Sequence, residues 1–333
     1  MTEPTTFAVQ VEELSKTFHS RHKRSGRNSD VHAVRDISLT VGQAECLGIA
    51  GESASGKSTL ARMLVGLEIP STGSICVNGE RLPEPPKAAD RKRHARRIQM
   101  VFQDPYSLLD PRQPVGMVLD EVQRVHSDRD RAGRDARTTE LLEAVDLGAS
   151  YASCVTRALS GGQRQRLAIA RALAAEPSVI VLDEAVSTLD VPIQAQILNL
   201  LSDLRRELAL TYIFISHDLT VIRQVSDRVL VLHRGQLTEQ GPVGQVFQKA
   251  AHPYSQLLLD SVPHQGMSLT QRAGRGFLAE DGYLFQGRCG RVHDPCAAQP
   301  PLFSVSPTAV AQEPCGVLRR RRHGDLHDDD RAE

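Results

Sequence analysis

The sequence has no net charge and no long apolar run, and its first residues do not have the pattern of a signal peptide. Forty basic and forty acidic residues cancel among 333, so the whole-chain charge gives no sign of a nucleic-acid or membrane-surface partner. No apolar run approaches the ~20 residues that a membrane-spanning helix needs. The segment from Met1 to Thr6 has neither the basic nor the apolar region of a signal peptide. We therefore expect a globular, cytosolic chain that meets a membrane only through other proteins.

The cysteines are unevenly placed. Three of the six cysteines stand singly in the main body, namely Cys46, Cys76 and Cys154. We expect these three to be buried small hydrophobic residues, because a reducing cytosol disfavours disulfides and free cysteine is commonly buried. The other three cluster near the end of the chain, at Cys289, Cys296 and Cys315.

A glycine-rich stretch is the strongest motif present. Its residues are Gly51, Glu52, Ser53, Ala54, Ser55, Gly56, Lys57, Ser58 and Thr59. They fit G-x-x-x-x-G-K-[ST], a loop whose N–H groups cradle nucleotide phosphates while the Lys reaches the β/γ-phosphates and the Ser hydroxyl meets Mg²⁺. An apolar run at 46–50 precedes it, and the residues with helical spacing that follow are Leu60, Met63, Leu64 and Leu67. This order of strand, loop and helix favours a phosphate-binding loop over a simple turn before a core helix.

A second glycine-rich stretch precedes a predicted helix at 164–175. Its residues are Leu159, Ser160, Gly161, Gly162 and Gln163. A helix N-terminus carries unpaired N–H groups and the positive end of the helix dipole. The pattern therefore predicts a second anion-binding position.

Two apolar runs end in residues that can do chemistry. The run at 178–182 ends at Asp183 and Glu184, as a central parallel strand would when it delivers carboxylates to its C-terminal edge. Two adjacent acids at a buried strand end are unfavourable without a cation. Another predicted buried strand, at 211–216, leads to His217.

These motifs, in this order, resemble the ATP-binding cassette (ABC) family over about residues 7 to 262. The Leu-Ser-Gly-Gly-Gln stretch at 159–163 separates this family from other P-loop ATPases. The resemblance implies an α/β fold, a P-loop NTPase of ABC type with a RecA-like core sheet, an antiparallel β subdomain and a helical insertion. It implies a nucleotide-binding domain at 1–250, with the insertion at about 104–175, and a C-terminal extension at 251–333 with a partly disordered tail.

The resemblance also implies how ATP and Mg²⁺ are held. Residues 51–59 would bind ATP, and Lys57 would contact its β- and γ-phosphates. Ser58 and Gln103 would coordinate Mg²⁺, and Asp183 would hold the same ion through water. In this family an aromatic residue at the position of Phe18 stacks on adenine, although ordinary packing is the alternative for a single aromatic residue.

For hydrolysis, the resemblance assigns Glu184 as the general base and His217 as the residue that contacts the γ-phosphate. The alternatives are a metal neighbour for Glu184 and a packed core histidine for His217. In the family, residues 160–163 of one subunit cover the ATP of another, and Asp190 lies between the two sites. The chain is therefore expected to pair with a second ABC ATPase, a related subunit in preference to a second copy.

Two stretches point to a branch of the family. Residues 100–112 and the run His252-Pro253-Tyr254 resemble the oligopeptide, dipeptide and nickel importer ATPases. The resemblance implies two membrane permease subunits, an extracytoplasmic solute-binding protein and a peripheral place on the cytoplasmic face of the inner membrane. Peptide is the expected cargo and nickel or another small solute the alternative. A non-transport cassette is less favoured, and nucleic acid is not an expected partner.

The C-terminal cysteines match this branch incompletely. Its members carry four cysteines that can hold an iron–sulfur cluster, and Cys289, Cys296 and Cys315 match three of them, with Tyr283 where the first is expected. Because four thiolates are the usual ligands, we favour a docking tail with free thiols over a cluster.

Overall fold

The computed structural model describes residues 7–21, 28–104, 109–261, 302–306 and 309–312. The strands are β1 (Val9–Arg21), β2 (Asn28–Val41), β3 (Cys46–Ala50), β4 (Thr72–Val77), β5 (Glu80–Arg81), β6 (Ile98–Val101), β7 (Val179–Asp183), β8 (Thr211–Ile215), β9 (Arg228–His233), β10 (Gln236–Pro242), β11 (Leu302–Ser306) and β12 (Ala309–Gln312). The helices are α1 (Lys57–Leu64), α2 (Ala88–Arg97), α3 (Val115–His126), α4 (Arg131–Ala144), α5 (Gly161–Leu173), α6 (Val191–Leu208), α7 (Leu219–Val225), α8 (Val243–Gln248) and α9 (Pro253–Asp260).

The larger sheet has the strand order β11-β12-β10-β9-β3-β8-β7-β6. The five strands from β9 to β6 are parallel, and β10, β12 and β11 continue the sheet in antiparallel fashion. Every residue of β3, β7 and β8 is buried, because helices or the second sheet cover both faces of these apolar runs. Parallel strands bring their C-terminal ends to one edge, and the predicted site residues follow those ends.

A smaller antiparallel sheet, in the order β2-β1-β4-β5, packs on one face of the larger one. Its inward side chains share a core with α1 and with strands β3, β7 and β8. On the opposite face, apolar residues of α3, α4, α5 and α6 form a second core. The expected arrangement of a central sheet, an antiparallel β subdomain and helices inserted between β6 and β7 is confirmed.

Some element boundaries do not follow from the local sequence. Residues 19–21 and 28–30 are polar, but β1 and β2 remain paired as far as Arg21 and Asn28, and His19 contacts Asp30 at 2.8 Å. Helix α5 begins at Gly161 and not at residue 164, because Ser160 caps it. The first helix ends at Leu64, since Gly66 adopts a positive φ of 75° that ends helical geometry.

Three single residues also differ from expectation. Leu67 was expected on the buried face of the first helix, but it lies beyond the end of α1 and is 62% exposed. Of the three cysteines expected to be buried, only Cys46 is; Cys76 on β4 and Cys154 in a loop are partly exposed. In the part of the chain that the structure describes, no helix combines the length and apolar character required to cross a bilayer.

Candidate active site

The phosphate-binding loop, residues 51–59, joins β3 to α1. Gly51 and Gly56 have positive φ angles of 152° and 102°. A Cβ atom on Gly51 would lie 2.3 Å from the carbonyl oxygen of Leu232, and one on Gly56 would lie 2.3 Å from that of Ala33. Only glycine fits both positions, so the two glycines of the motif fix the loop between β9 and β2.

Lys57 lies across the inside of this loop. Its Nζ donates hydrogen bonds to the carbonyl oxygens of Gly51 and Glu52, at 2.8 Å each, and to Ser55 Oγ at 3.3 Å. Burial lowers the pKa of the Lys57 amine, and the nearby carboxylates of Glu184 and Asp183 partly oppose that effect. Charged oxygens are stronger acceptors than carbonyls, so phosphate can draw the ammonium group away from the loop.

Asp183 ends β7 next to the loop. It is 7% exposed, and its Oδ1 accepts a hydrogen bond from the Ser58 hydroxyl at 3.2 Å. Burial raises the pKa of the Asp183 carboxyl, which the Ser58 hydrogen bond partly offsets, while adjacent Glu184 raises it further. A hydroxyl and a buried carboxylate are the hard oxygen donors that Mg²⁺ prefers, so these residues fit the ion that the motif implies.

Glu184 and His217 lie together beyond the ends of β7 and β8. Those strands are paired with Asp183 opposite Ile215, so the residues that follow them meet. Glu184 Oε1 is 3.4 Å from His217 Nδ1, and the exposed fractions of the two side chains are 20% and 57%. His217 is therefore not a packed core histidine, and its exposed imidazole lies next to a carboxylate, that of Glu184, which borders the phosphate-binding loop.

A cleft of about 890 Å³ opens over the loop. Its walls are formed by Phe18, Asp30, Val31, His32, Ala33, Arg35, Ser53, Ala54, Ser55, Gly56, Lys57, Ser58, Thr59, Glu184 and Arg234. Phe18 lies opposite Val31 in the β1–β2 pair and is 39% exposed, with Lys16 Nζ 5.0 Å from the ring centroid. A half-exposed ring therefore lines the same cleft as the phosphate-binding loop, and such a ring is free to stack on a base.

Sequence reasoning missed two arginines of this cleft, Arg35 and Arg234. The N–H of Arg35 donates to the carbonyl of Gly235 at 2.8 Å, and the N–H of Gly235 donates to that of Ser55 at 2.8 Å. These contacts place both arginines beside the phosphate-binding loop. In the sequence, the two residues are only a basic residue in a predicted strand and another in a tight turn. Their position beside the phosphate-binding loop becomes evident only when β2 and β9 are packed together.

The stretch at 159–163 forms a regular helix start. Ser160 Oγ accepts from the Gln163 N–H at 3.3 Å, while Gln163 Oε1 accepts from the Ser160 N–H at 2.9 Å. Gln163 also donates to the Tyr151 hydroxyl at 2.8 Å. Leu159 is buried, and a Cβ on Gly162 would lie 2.7 Å from Ile193 Cγ2 of α6.

The structure does not bring every predicted site residue together. No residue of 159–163 lines the cleft, and neither does Asp190, which is exposed and precedes α6. Gln103 is exposed two residues after β6, the strand beside β7, and it also lies outside the lining of the cleft. Cys289, Cys296 and Cys315 lie outside the described residues.

Known proteins match both parts of the chain. The ABC transporter family model matches residues 34–187, and the model of the oligopeptide/dipeptide transporter C-terminal region matches residues 238–296. A Brucella abortus protein described as a peptide import ATP-binding protein is 44% identical over 306 residues, which are 89% of this chain and 90% of that protein. The glutathione import ATP-binding protein GsiA of Salmonella paratyphi A is 44% identical over 275 residues, which are 82% of this chain and 44% of GsiA.

Solved structures agree with the fold. The dimeric cassette MJ0796, in a post-hydrolysis state bound to ADP and Pi, superposes with a TM-score of 0.61 at 27% identity, covering 71% of this chain and 98% of that one. The cbiO1 protein of Clostridium perfringens superposes with a TM-score of 0.62 at 27% identity, covering 73% of this chain and 92% of that one. With the loop, the acid pair and the histidine at one sheet edge, these matches show that the chain belongs to the ATP-hydrolysing subunits of ABC transporters and carries the C-terminal region of their oligopeptide/dipeptide members.

Proposed function

We propose that the chain drives the uptake of oligopeptides or dipeptides by an importer in which it hydrolyses ATP. The match of the C-terminal region at 238–296 and the names of the relatives support this cargo class. The observation that carries the chemistry is the meeting of Lys57, Ser58, Asp183, Glu184 and His217 at one edge of the larger sheet. Phosphoryl transfer depends mainly on positioning and charge stabilisation, which such a set supplies.

In the mechanism we propose, Lys57 binds the β- and γ-phosphates and Phe18 holds the adenine. Glu184 accepts a proton from the water whose oxygen attacks the γ-phosphorus, and the bond to the β–γ bridging oxygen breaks to release ADP. His217, 3.4 Å from Glu184, contacts the γ-phosphate. Ser58, Asp183 and Gln103 would hold Mg²⁺, which when bound offsets charge on the phosphate oxygens.

We further propose that the site is completed by a second ABC ATPase, a related subunit in preference to another copy of this chain. The Ser160 helix start and Asp190 do not line the cleft of their own chain, which leaves them available to the ATP of a partner. The assembly we propose also contains two membrane permease subunits and an extracytoplasmic solute-binding protein. The chain would then sit peripherally on the cytoplasmic face of the inner membrane.

For the organisation of the chain, we propose a nucleotide-binding domain at 1–250 and an extension at 251–333. Helix α8 ends at Gln248 and α9 begins at Pro253, so the proposed boundary falls in the loop between these two helices. Three thiols, at Cys289, Cys296 and Cys315, stand where four are usual for an iron–sulfur cluster. We propose that they remain free thiols in a docking tail.

The assignment of Glu184 is tested by Glu184→Gln. We expect ATP binding to persist and the turnover number to fall by ~10²–10⁴, the range for loss of a general base. Phosphate release measures turnover in the assembled transporter, and a fluorescent ATP analogue measures binding. The matched control is Glu207→Gln, which changes an exposed glutamate of α6 and should leave both values unchanged. Wild-type turnover in Glu184→Gln would refute the role of Glu184 as the base.

A further inference from the structure

A group of buried polar side chains joins α9 to the phosphate-binding loop. Its members, which are between 0% and 3% exposed, are His233, Glu239, His252 and Tyr254. In the sequence, His252 and Tyr254 served only to indicate a branch of the family. Their contacts in the structure give them a physical role.

The entry into α9 is fixed from β10. The Glu239 carboxylate accepts hydrogen bonds from the N–H groups of Ala251, at 2.8 Å, and His252, at 3.2 Å. His252 caps the helix, because its Nδ1 accepts from the N–H of Tyr254 at 3.0 Å, and Pro253 is the first helical residue. The position of Tyr254 is therefore set by a strand of the larger sheet.

From this position Tyr254 reaches the phosphate-binding loop. Its ring packs on His233, with the ring centroids 4.1 Å apart. His233 ends β9, which pairs with β3 at Ala50 and Val231. The Tyr254 hydroxyl accepts a hydrogen bond from the N–H of Glu52 at 3.2 Å.

The peptide group that Tyr254 contacts is also the one that Lys57 contacts. Its N–H belongs to Glu52 and its carbonyl to Gly51, and that carbonyl accepts from Lys57 Nζ at 2.8 Å. One peptide group is thus held at both ends, by a side chain of the loop and by a side chain of α9. When phosphate draws the Lys57 amine away, the hydroxyl of Tyr254 still holds the other end.

We propose that Tyr254 is a positioning residue for ATP binding. Its hydroxyl keeps the peptide group between Gly51 and Glu52 in place while Lys57 moves to the phosphates, so the first turn of α9 belongs functionally to the nucleotide site. Because coupling between two sites is reciprocal, ATP in the cleft also stabilises the contact of α9 with the phosphate-binding loop.

The test is Tyr254→Phe in the full chain, which removes the hydroxyl and keeps the ring against His233. We expect the Kd for Mg²⁺–trinitrophenyl-ATP to rise about two- to tenfold, the range for one hydrogen bond. The KM for ATP in the assembled transporter should rise by the same factor, and kcat at saturating ATP should change by less than about twofold.

The matched control is Tyr212→Phe. Tyr212 is also buried, at 2% exposed, but it lies opposite Cys46 at the start of β3, the far end from the loop. In the described part of the chain its hydroxyl has no hydrogen-bond partner. We expect this variant to keep the wild-type Kd and KM.

The outcomes separate this inference from the proposed site on which it rests. Failure of the wild-type chain to bind Mg²⁺–ATP would refute the site itself. Wild-type binding together with an unchanged Kd and KM in Tyr254→Phe would overturn only the role of Tyr254. A fall in kcat with an unchanged KM would overturn it as well, and a purely structural role would lower the melting temperature without the rise in KM.

Discussion

His252 is a single residue whose ionisation is strongly altered by folding. It is fully buried, and burial, with His233 nearby, lowers the pKa of its imidazole from 6.5 to about 3. The unprotonated Nδ1 is also the acceptor that caps α9. Protonation would therefore remove the cap and place a charge where water does not reach.

This shift makes stability depend on pH in a defined direction. Because the folded pKa of His252 is depressed, its contribution is complete above about pH 6.5 and is lost as the pH falls toward 3. We expect the unfolding free energy to drop by about 2 kcal/mol from this residue between pH 7 and pH 5. The variant His252→Asn retains a capping side chain. Urea denaturation should show that, between pH 7 and pH 5, its unfolding free energy falls by about 2 kcal/mol less than that of the wild type. Identical pH dependence in the two proteins would contradict the prediction.

Glu184 has a backbone conformation that the sequence did not indicate. The apolar run before Asp183 predicted a strand that ends at two carboxylates, and the structure confirms the strand. The positive φ of 51° at Glu184 could not be predicted, because glutamate rarely adopts the left-handed region. The conformation follows from tertiary contacts, among them the bond from the Glu184 N–H to the Ile215 carbonyl at 2.9 Å. Strain of this kind is common at functional sites.

At the scale of elements, the β1–β2 hairpin forms one wall of the cleft. We expect Phe18→Ala to raise the Kd for ATP by about 5- to 150-fold, since stacking of a base on an aromatic ring contributes ~1–3 kcal/mol. Phe18→Tyr keeps the ring and should keep the affinity. Titration with a fluorescent ATP analogue measures both variants. Equal affinities for wild type and Phe18→Ala would show that this ring does not bind adenine.

Elements differed in how well their sequences predicted them. The strands β3, β7 and β8 are continuous apolar runs, so their burial could be predicted from local composition alone. The outer part of the β1–β2 hairpin is polar, and only the cross-strand pairing that ends at Arg21 and Asn28 makes it a strand. The contribution of the whole hairpin to the cleft, including that of Arg35, therefore depended on long-range contacts that periodicity does not encode.

At the scale of the whole molecule, the two predicted ATP-contacting surfaces are separate. The cleft contains the phosphate-binding loop but not the Ser160 helix start. The family resemblance predicted both surfaces and a second subunit, and in the fold the Ser160 helix start lies outside the cleft that contains the phosphate-binding loop. A partner that supplies the missing surface would be clamped by ATP for as long as hydrolysis is slow.

Sedimentation of the Glu184→Gln chain with Mg²⁺–ATP tests the identity of that partner. We expect the 36.5 kDa chain to remain monomeric alone, because we propose that a related subunit supplies the complementary surface. Addition of the second ATPase of the same transporter should double the mass. Samples without nucleotide are the control, and ATP-dependent doubling of the chain alone would show that two copies close on each other.

The central place of β3 has a consequence for the cost of binding. This strand is hydrogen-bonded on both edges, to β8 and to β9, and the glycines that follow it are wedged against backbone carbonyls. Folding has therefore already removed most of the loop's conformational entropy. An incoming nucleotide meets a preorganised receptor, and more of its interaction energy remains available as affinity.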